Sequence, residues 1–203
     1  MSNKNADTSD SLVTAEILRR LDRLESKDEI RGLASAYAVA CDEHDLPRLM
    51  SLFTDDACFD APNGAMVASG KSAIETMFIN TFRVRGPGYH WTHDITIHMD
   101  ATDPNAATGL VMSHAETTPN GVVSIAAMRY ADTYRREADQ VWRFSKRVIS
   151  FFYYVPAAEY HLNLDKLNRV HMGGVPHAAD YPERLAPWQA FIDAHGPLQL
   201  KDA

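Results

Sequence analysis

Hydrophobic positions in the first quarter of the chain recur at helical spacing. Ile30, Leu33, Ala34, Tyr37 and Cys41 fall at the i, i+3, i+4, i+7 positions of one buried face. They predict a helix from Ser26 or Lys27 to about Asp42. Upstream, Leu12, Ile17, Leu21 and Leu24 roughly follow the same period behind Ser11, a capping residue, and predict a separate earlier helix. Asp45 reads as the N-cap of a short helix over Leu46–Phe53, with Pro47 in its first turn, where a missing N–H costs little. The polar residues 1–11 read as a disordered lead.

After Phe53 the pattern changes. Ala57–Asp60 and Ala65–Ala68 flank Pro62-Asn63-Gly64, a hairpin signal. Gly70-Lys71-Ser72 leads into a helix through Phe82, and Gly86-Pro87-Gly88 breaks the chain. Strand-like segments follow at about His93–Met99, Gly109–Thr118, Val122–Arg135 and Val141–Tyr154, with a second turn signal at Pro119-Asn120-Gly121. Helices first and long antiparallel strands afterwards predict an α+β domain in which a curved sheet wraps around helices. The core ends near Pro156. Residues 157–203 carry four prolines and weak periodicity, with one helix around Trp188–Ala194. They read as an extension that packs over the domain or over a neighbouring subunit.

Composition narrows the class. At 203 residues the chain holds one domain with something left over. A net charge of −7 without a Lys/Arg run removes the basic footprint of a nucleic-acid binder. Cys41 and Cys58 are too few for a disulfide framework, which points to a reducing compartment. No stretch reaches the roughly 18 apolar residues of a membrane span, and the N-terminus lacks the apolar core of a secretory signal. The expectation is a cytoplasmic protein with neither a nucleic-acid nor a membrane partner.

The chemical vocabulary is equally restricted. Without a Gly-rich phosphate loop, a nucleophile elbow or a CxxC pair, dinucleotide oxidoreductases and ATP-dependent enzymes are disfavoured. Histidine, carboxylate, tyrosine and arginine remain, the materials of acid–base catalysis without a cofactor. The densest cluster is Tyr89-His90-Trp91-Thr92-His93-Asp94, with His98 close behind. On a strand beginning near His93 the imidazoles diverge and no second closely spaced pair completes a ligand set, so no metal is expected. His93 and His98 then read as a polar strand face. His114 alternates with Leu110 and Met112, which marks a hydrogen-bonded core residue unless that face lines a cavity. Asp42 lies on the flank of its helix, and periodicity does not separate it from His44 or Asp45. Arg147 shares a strand face with Arg143 and Ser145, the polar face by alternation.

Three stretches together resemble the SnoaL-like branch of the nuclear transport factor 2-like superfamily. They are Asp28-Glu29-Ile30-Arg31 through Asp42 to Leu49-Met50-Ser51-Leu52-Phe53-Thr54-Asp55-Asp56-Ala57; His90-Trp91-Thr92-His93-Asp94-Ile95; and Tyr130-Ala131-Asp132-Thr133-Tyr134 through Trp142-Arg143-Phe144-Ser145-Lys146-Arg147. The resemblance implies a cone-shaped α+β barrel, a curved mixed or antiparallel sheet wrapped around N-terminal helices, over residues 12–156, with 157–203 as the extension. Within the branch the chain is similar to the lyases hexachlorocyclohexane dehydrochlorinase, scytalone dehydratase and bile-acid dehydratase. The similarity places Asp42 on their catalytic Asp and His90 on the dyad His. Tyr37 falls on an active-site Tyr of the bile-acid dehydratase and Arg147 on the dehydrochlorinase's Arg. His114 comes within a residue of scytalone dehydratase's second His. Two departures stand out: there is no Tyr near Ala61, and His93-Asp94 replaces the Thr-Asn that often follows the dyad His.

These likenesses imply a lyase that uses no cofactor, with His90 as general base and Asp42 fixing its tautomer. Arg147, Tyr37 and His114 would stabilise or protonate what departs. Phe59, Trp91, Leu110, Met112 and Met128 would line a pocket for a hydrophobic or aromatic small molecule. β-Elimination on a ring-containing substrate is the leading expectation. Formaldehyde release by C–C cleavage of a hydroxymethyl arm, isomerisation or cyclisation, and a non-catalytic ligand-binding or assembly module are the alternatives. A homodimer or homotrimer is implied, since exposed sheet in this fold is commonly covered by a partner.

Overall fold

One unbroken helix, α1, runs from Lys4 to Asp42 where the periodicity predicts two helices. A computed structural model gives this architecture and describes residues 4–197. The helix occupies most of the expected disordered lead; residues 1–3 of that lead lie outside the described residues. Its continuity has a simple cause. Arg19-Arg20-Leu21-Asp22-Arg23-Leu24-Glu25 are helix formers or tolerated, and neither Gly nor Pro separates Leu24 from Lys27. The upstream stripe of Leu12, Ile17, Leu21 and Leu24 is exposed, so helical period there does not mean burial. Downstream, Ile30, Leu33, Ala34, Tyr37 and Cys41 are buried as their spacing predicts.

The remaining elements follow in order. They are α2 (Leu46–Ser51), β1 (Phe53–Asp60), β2 (Ala68–Ser69), α3 (Lys71–Arg85), β3 (Gly88–Met99), β4 (Ala106–Thr117), β5 (Ser124–Arg136) and β6 (Trp142–Pro156). The extension adds α4 (Tyr160–Asn163), β7 (Val170–Met172), β8 (Val175–His177) and α5 (Ala186–His195). Asp45 caps α2 as expected, accepting a 3.0 Å hydrogen bond from the Arg48 backbone N–H. No helix among the described residues is long and apolar enough to cross a membrane.

The sheet order is β2-β1-β6-β5-β4-β3, with β7 on β6 and β8 on β7. β1 and β7 both run parallel to β6, and the other pairs are antiparallel, so the sheet is mixed. β1 pairs with β6 between Phe144 and Val148, and β7 joins it further on, at Tyr154. The inner face of the sheet wraps around α1. Tyr37 on α1 packs edge-on against Tyr130, Phe144 and Phe53, with ring centroids 5.8, 5.9 and 6.3 Å away.

Arg147 anchors the base of this core. The β5–β6 register steps from Tyr134↔Phe144 to Thr133↔Lys146, which leaves Ser145 as an extra residue. The bulge reverses the alternation, so Phe144 and Arg147 both point inward, and Arg147 leaves the polar face assigned by parity. Its side chain is 1% exposed and Asp132's 0%. Nε and Nη2 donate to the two carboxylate oxygens at 2.8 Å each, and the Tyr134 hydroxyl donates to Oδ2 at 2.9 Å. Desolvation opposes the guanidinium charge, and Asp132's charge and hydrogen bonds outweigh it, leaving the Arg147 pKa above its ordinary value.

Removing one partner of such a pair strands a buried charge. Asp132→Ala is expected to lower stability by about 3–5 kcal/mol in urea unfolding, and Asp132→Leu with Arg147→Met to recover most of that loss. An Asp132→Ala midpoint matching the parent would contradict the anchoring role.

Candidate active site

Asp42 is the last residue of α1, and the end of that helix is held from α3. Arg85 Nη2 donates to the Cys41 carbonyl oxygen, one of the acceptors a helix C-terminus leaves open. The Arg85 guanidinium lies 5.0 Å from the Phe82 ring centroid, and Phe82 in turn stacks on His44 at 4.4 Å. An acidic residue at a helix C-terminus is disfavoured by the macrodipole and needs another partner. β3 supplies it. The His90 backbone N–H donates to Asp42 Oδ2 at 2.9 Å, and the His90 ring donates from Nδ1 to Oδ1 at 2.6 Å.

The carboxylate therefore grips both the backbone and the ring of one histidine. A proton on Nδ1 leaves Nε2 of the neutral ring with its lone pair. Among the described residues no group hydrogen-bonds Nε2. The His90 side chain is 10% exposed and forms part of the wall of a cavity of about 400 Å³.

β3 begins at Gly88, five residues earlier than the strand expected at His93, and this earlier start sorts the histidines. Residues opposite one another on an antiparallel pair share a face. His90 pairs with Ala115 and both look inward; Trp91 pairs with His114 and both look outward. His93 is also on the outer face, where its Nε2 lies 2.8 Å from His114 Nδ1. Burial, with His93 nearby, lowers the His114 pKa. His90 and His93 thus face opposite sides of the sheet, and among the described residues no three His, Cys, Asp or Glu are grouped to hold a metal.

The expected pocket divides accordingly. His90, Tyr37 and Met128 line the cavity. His114 does not: the inward residues of β4 are Val111, Ser113, Ala115 and Thr117, and Leu110, Met112 and His114 have the opposite parity. Trp91, 59% exposed, is outside for the same reason. Alternation divides a strand into two faces without saying which is inner, and here the outer face is also apolar. Phe59 is buried behind the wall, 5.5 Å from the cavity-lining Phe78 ring. Arg147 lies beneath the cavity floor rather than in it, its guanidinium carbon 4.1 Å from the ring centroids of both Tyr37 and Tyr130.

The structure also brings in residues that the sequence reading passed over. Tyr130, Phe151 and Tyr154 line the cavity, with Arg85 and Thr117 beside them and His171 and Met172 from the extension. Tyr130 had a signal, since it shares strand parity with Met128; the extension residues had none. Burial pushes the pKa of both Tyr37 and Tyr130 up, so their hydroxyls stay protonated and able to donate.

Comparison with known proteins agrees with this architecture. Residues 22–148, more than half of the chain, match the SnoaL-like domain. Gamma-hexachlorocyclohexane dehydrochlorinase from Sphingobium indicum is 27% identical over 149 residues, covering 70% of this chain and 90% of that protein. A crystal structure of a type 2 hexachlorocyclohexane dehydrochlorinase superposes with a TM-score of 0.61 at 23% identity, over 68% of this chain and 92% of the other. A putative scytalone dehydratase from Novosphingobium aromaticivorans gives 0.59 at 21% identity, over 66% and 89%. The matched segment, in agreement with the shared fold, leads to one conclusion: the chain belongs to the SnoaL-like domain family.

Proposed function

We propose that the protein is a lyase in which His90 removes a carbon-bound proton and a small leaving group departs from the adjacent carbon of a ring-containing substrate. The observation that carries this reading is the double grip of Asp42 on His90 at the wall of an apolar cavity. A base needs a free lone pair at a fixed position, and Nδ1–H···Oδ1 provides both on Nε2. Once the ring has taken a proton, the carboxylate 2.6 Å away stabilises the imidazolium.

The rest of the cavity suits the same chemistry. A volume of about 400 Å³ is at the scale of small-molecule sites and accepts one or two fused rings. Tyr37 and Tyr130 line the cavity with protonated hydroxyls that can donate to an oxygen gaining charge as the proton leaves, Tyr37 by leaving the Cys41 thiol. Arg147, paired with Asp132 beneath those rings, supports the floor and is not assigned a contact with the substrate. The dehydrochlorinase likeness supports elimination over the isomerase and binding-module alternatives.

His90→Asn and Asp42→Asn are each expected to lower kcat/KM by about 10²–10⁴-fold on any substrate the parent turns over, with far-UV circular dichroism and thermal midpoint close to the parent. Parent-like rates in either variant would remove the assignment. Exhaustive dialysis against a chelator is expected to leave turnover intact; a loss reversed by zinc would instead give the imidazoles a metal-binding role.

A further inference from the structure

The extension beyond the matched segment builds part of the cavity wall. β7 continues the sheet alongside the end of β6, then turns back into β8 through Gly173 and Gly174, both at positive φ. His171, Met172 and Gly173 line the same cavity as His90. Asn63, from the loop between β1 and β2, donates from Nδ2 to Met172 Sδ at 3.5 Å. Ala65 and Met66 of that loop are also in the wall, so loop and extension meet around one space.

His171 is the ionisable group of this part of the wall. Its Nδ1 is 3.9 Å from Glu159 Oε2. Its Nε2 is shielded from solvent and has no hydrogen-bond partner among the described residues. A buried polar atom left unpaired costs free energy that a ligand reaching it would recover. Position matters as much. His90 is on β3, the last strand at one end of the sheet, and β4, β5 and β6 intervene before β7. The curl of the sheet brings both residues to the wall of one cavity.

We propose that His171 is the second proton-transfer group of the cavity, the acid that protonates an oxygen leaving group while His90 takes the carbon-bound proton. This rests on the lyase reading. The C–H electron pair becomes the new C=C bond, and the C–O bond breaks with its pair going to oxygen. His171 enters the step as imidazolium, gives its Nε2 proton to that oxygen and ends as the neutral ring, and water leaves. His90 ends one proton richer and His171 one poorer, and the net proton count of the protein is unchanged. Glu159, whose carboxylate lies 3.9 Å from Nδ1, is a positioning residue that acts by its charge beside the ring. A chloride leaving group departs as the anion and needs no such proton.

The test uses the full chain in two arms. In the first, protein labelled with ¹⁵N in its imidazoles is titrated with 2-naphthol, and the His171 resonances are identified by their absence in His171→Gln. They are expected to shift on binding; a probe that does not bind, or binds without moving them, overturns the proposal. In the second, two bicyclic ketones that differ only in a β-hydroxyl or β-chloro group are compared. His171→Gln is expected to slow loss of water about 10²-fold more than loss of chloride. Glu159→Gln should show a smaller discrimination in the same direction, in kcat rather than KM. Equal slowing of both substrates, or none, overturns the proposal. If the parent binds both ketones and turns over neither, the lyase reading fails, and the first arm still decides whether His171 contacts the ligand.

Discussion

The buried pair of Arg147 and Asp132 is the contact on which the placement of the other parts depends. A guanidinium 1% exposed in a protein of net charge −7 is tolerated because a carboxylate meets it through two hydrogen bonds. Tyr37, Tyr130 and Phe144 place their rings within about 4 Å of its carbon, using the attraction of a desolvated cation for aromatic faces. That cluster joins β5, β6 and α1. Fixing Tyr37 fixes the last turn of α1, and Asp42 is five residues on. The position of the dyad is therefore set from below by a contact that does not itself reach the cavity.

The cavity stays open above this floor because of what projects inward higher up. Ala115 and Thr117 on β4 and Ala126 on β5 are too small to reach α3 across the space, whereas Tyr130 and Phe151 border it with bulk. A close-packed interior would fill such a space with side chains. Small inward residues at the end of β4 and the start of β5, beside Tyr154 on β6, leave this end of the sheet open. Gly109 marks the packed end. A Cβ there would lie 2.9 Å from the Thr96 carbonyl oxygen and 2.9 Å from the Tyr134 ring, so only glycine lets β3, β4 and Tyr134 approach this closely.

Much of the fold was legible in the sequence because helices and long strands announce themselves through period. The inward stripe of α1, the cap of α2 and the four long strands all follow from it. The site was legible only in part, and the losses have distinct physical causes. His114 and Trp91 were misplaced because a sheet with two apolar faces gives alternation no inner direction. Arg147 was hidden by a one-residue bulge at Ser145 that reverses parity, which no side-chain pattern reports. Asp42 could not be separated from Asp45 by periodicity; it was the resemblance that singled it out. In the structure Asp45 caps α2 while Asp42 grips His90. Two predicted helices join into α1 because neither Gly nor Pro between Leu24 and Lys27 interrupts the backbone, and a change of hydrophobic stripe alone does not end a helix.

The two halves of the site lie in different parts of the chain. Asp42, His90 and the Arg147–Asp132 floor all fall within residues 22–148, the segment that matches the SnoaL-like domain. The end of β6, with Phe151 and Tyr154, and His171 and Met172 in the extension come after it. The Asp42–His90 pair depends only on local geometry, so the base proposed for His90 lies wholly within the matched domain. The size and polarity of the space depend on every wall, and this chain builds one of them from residues outside the match. A likeness confined to the domain therefore bears on the Asp42–His90 pair, whereas the shape and polarity of the cavity are set in part by walls that the likeness does not reach.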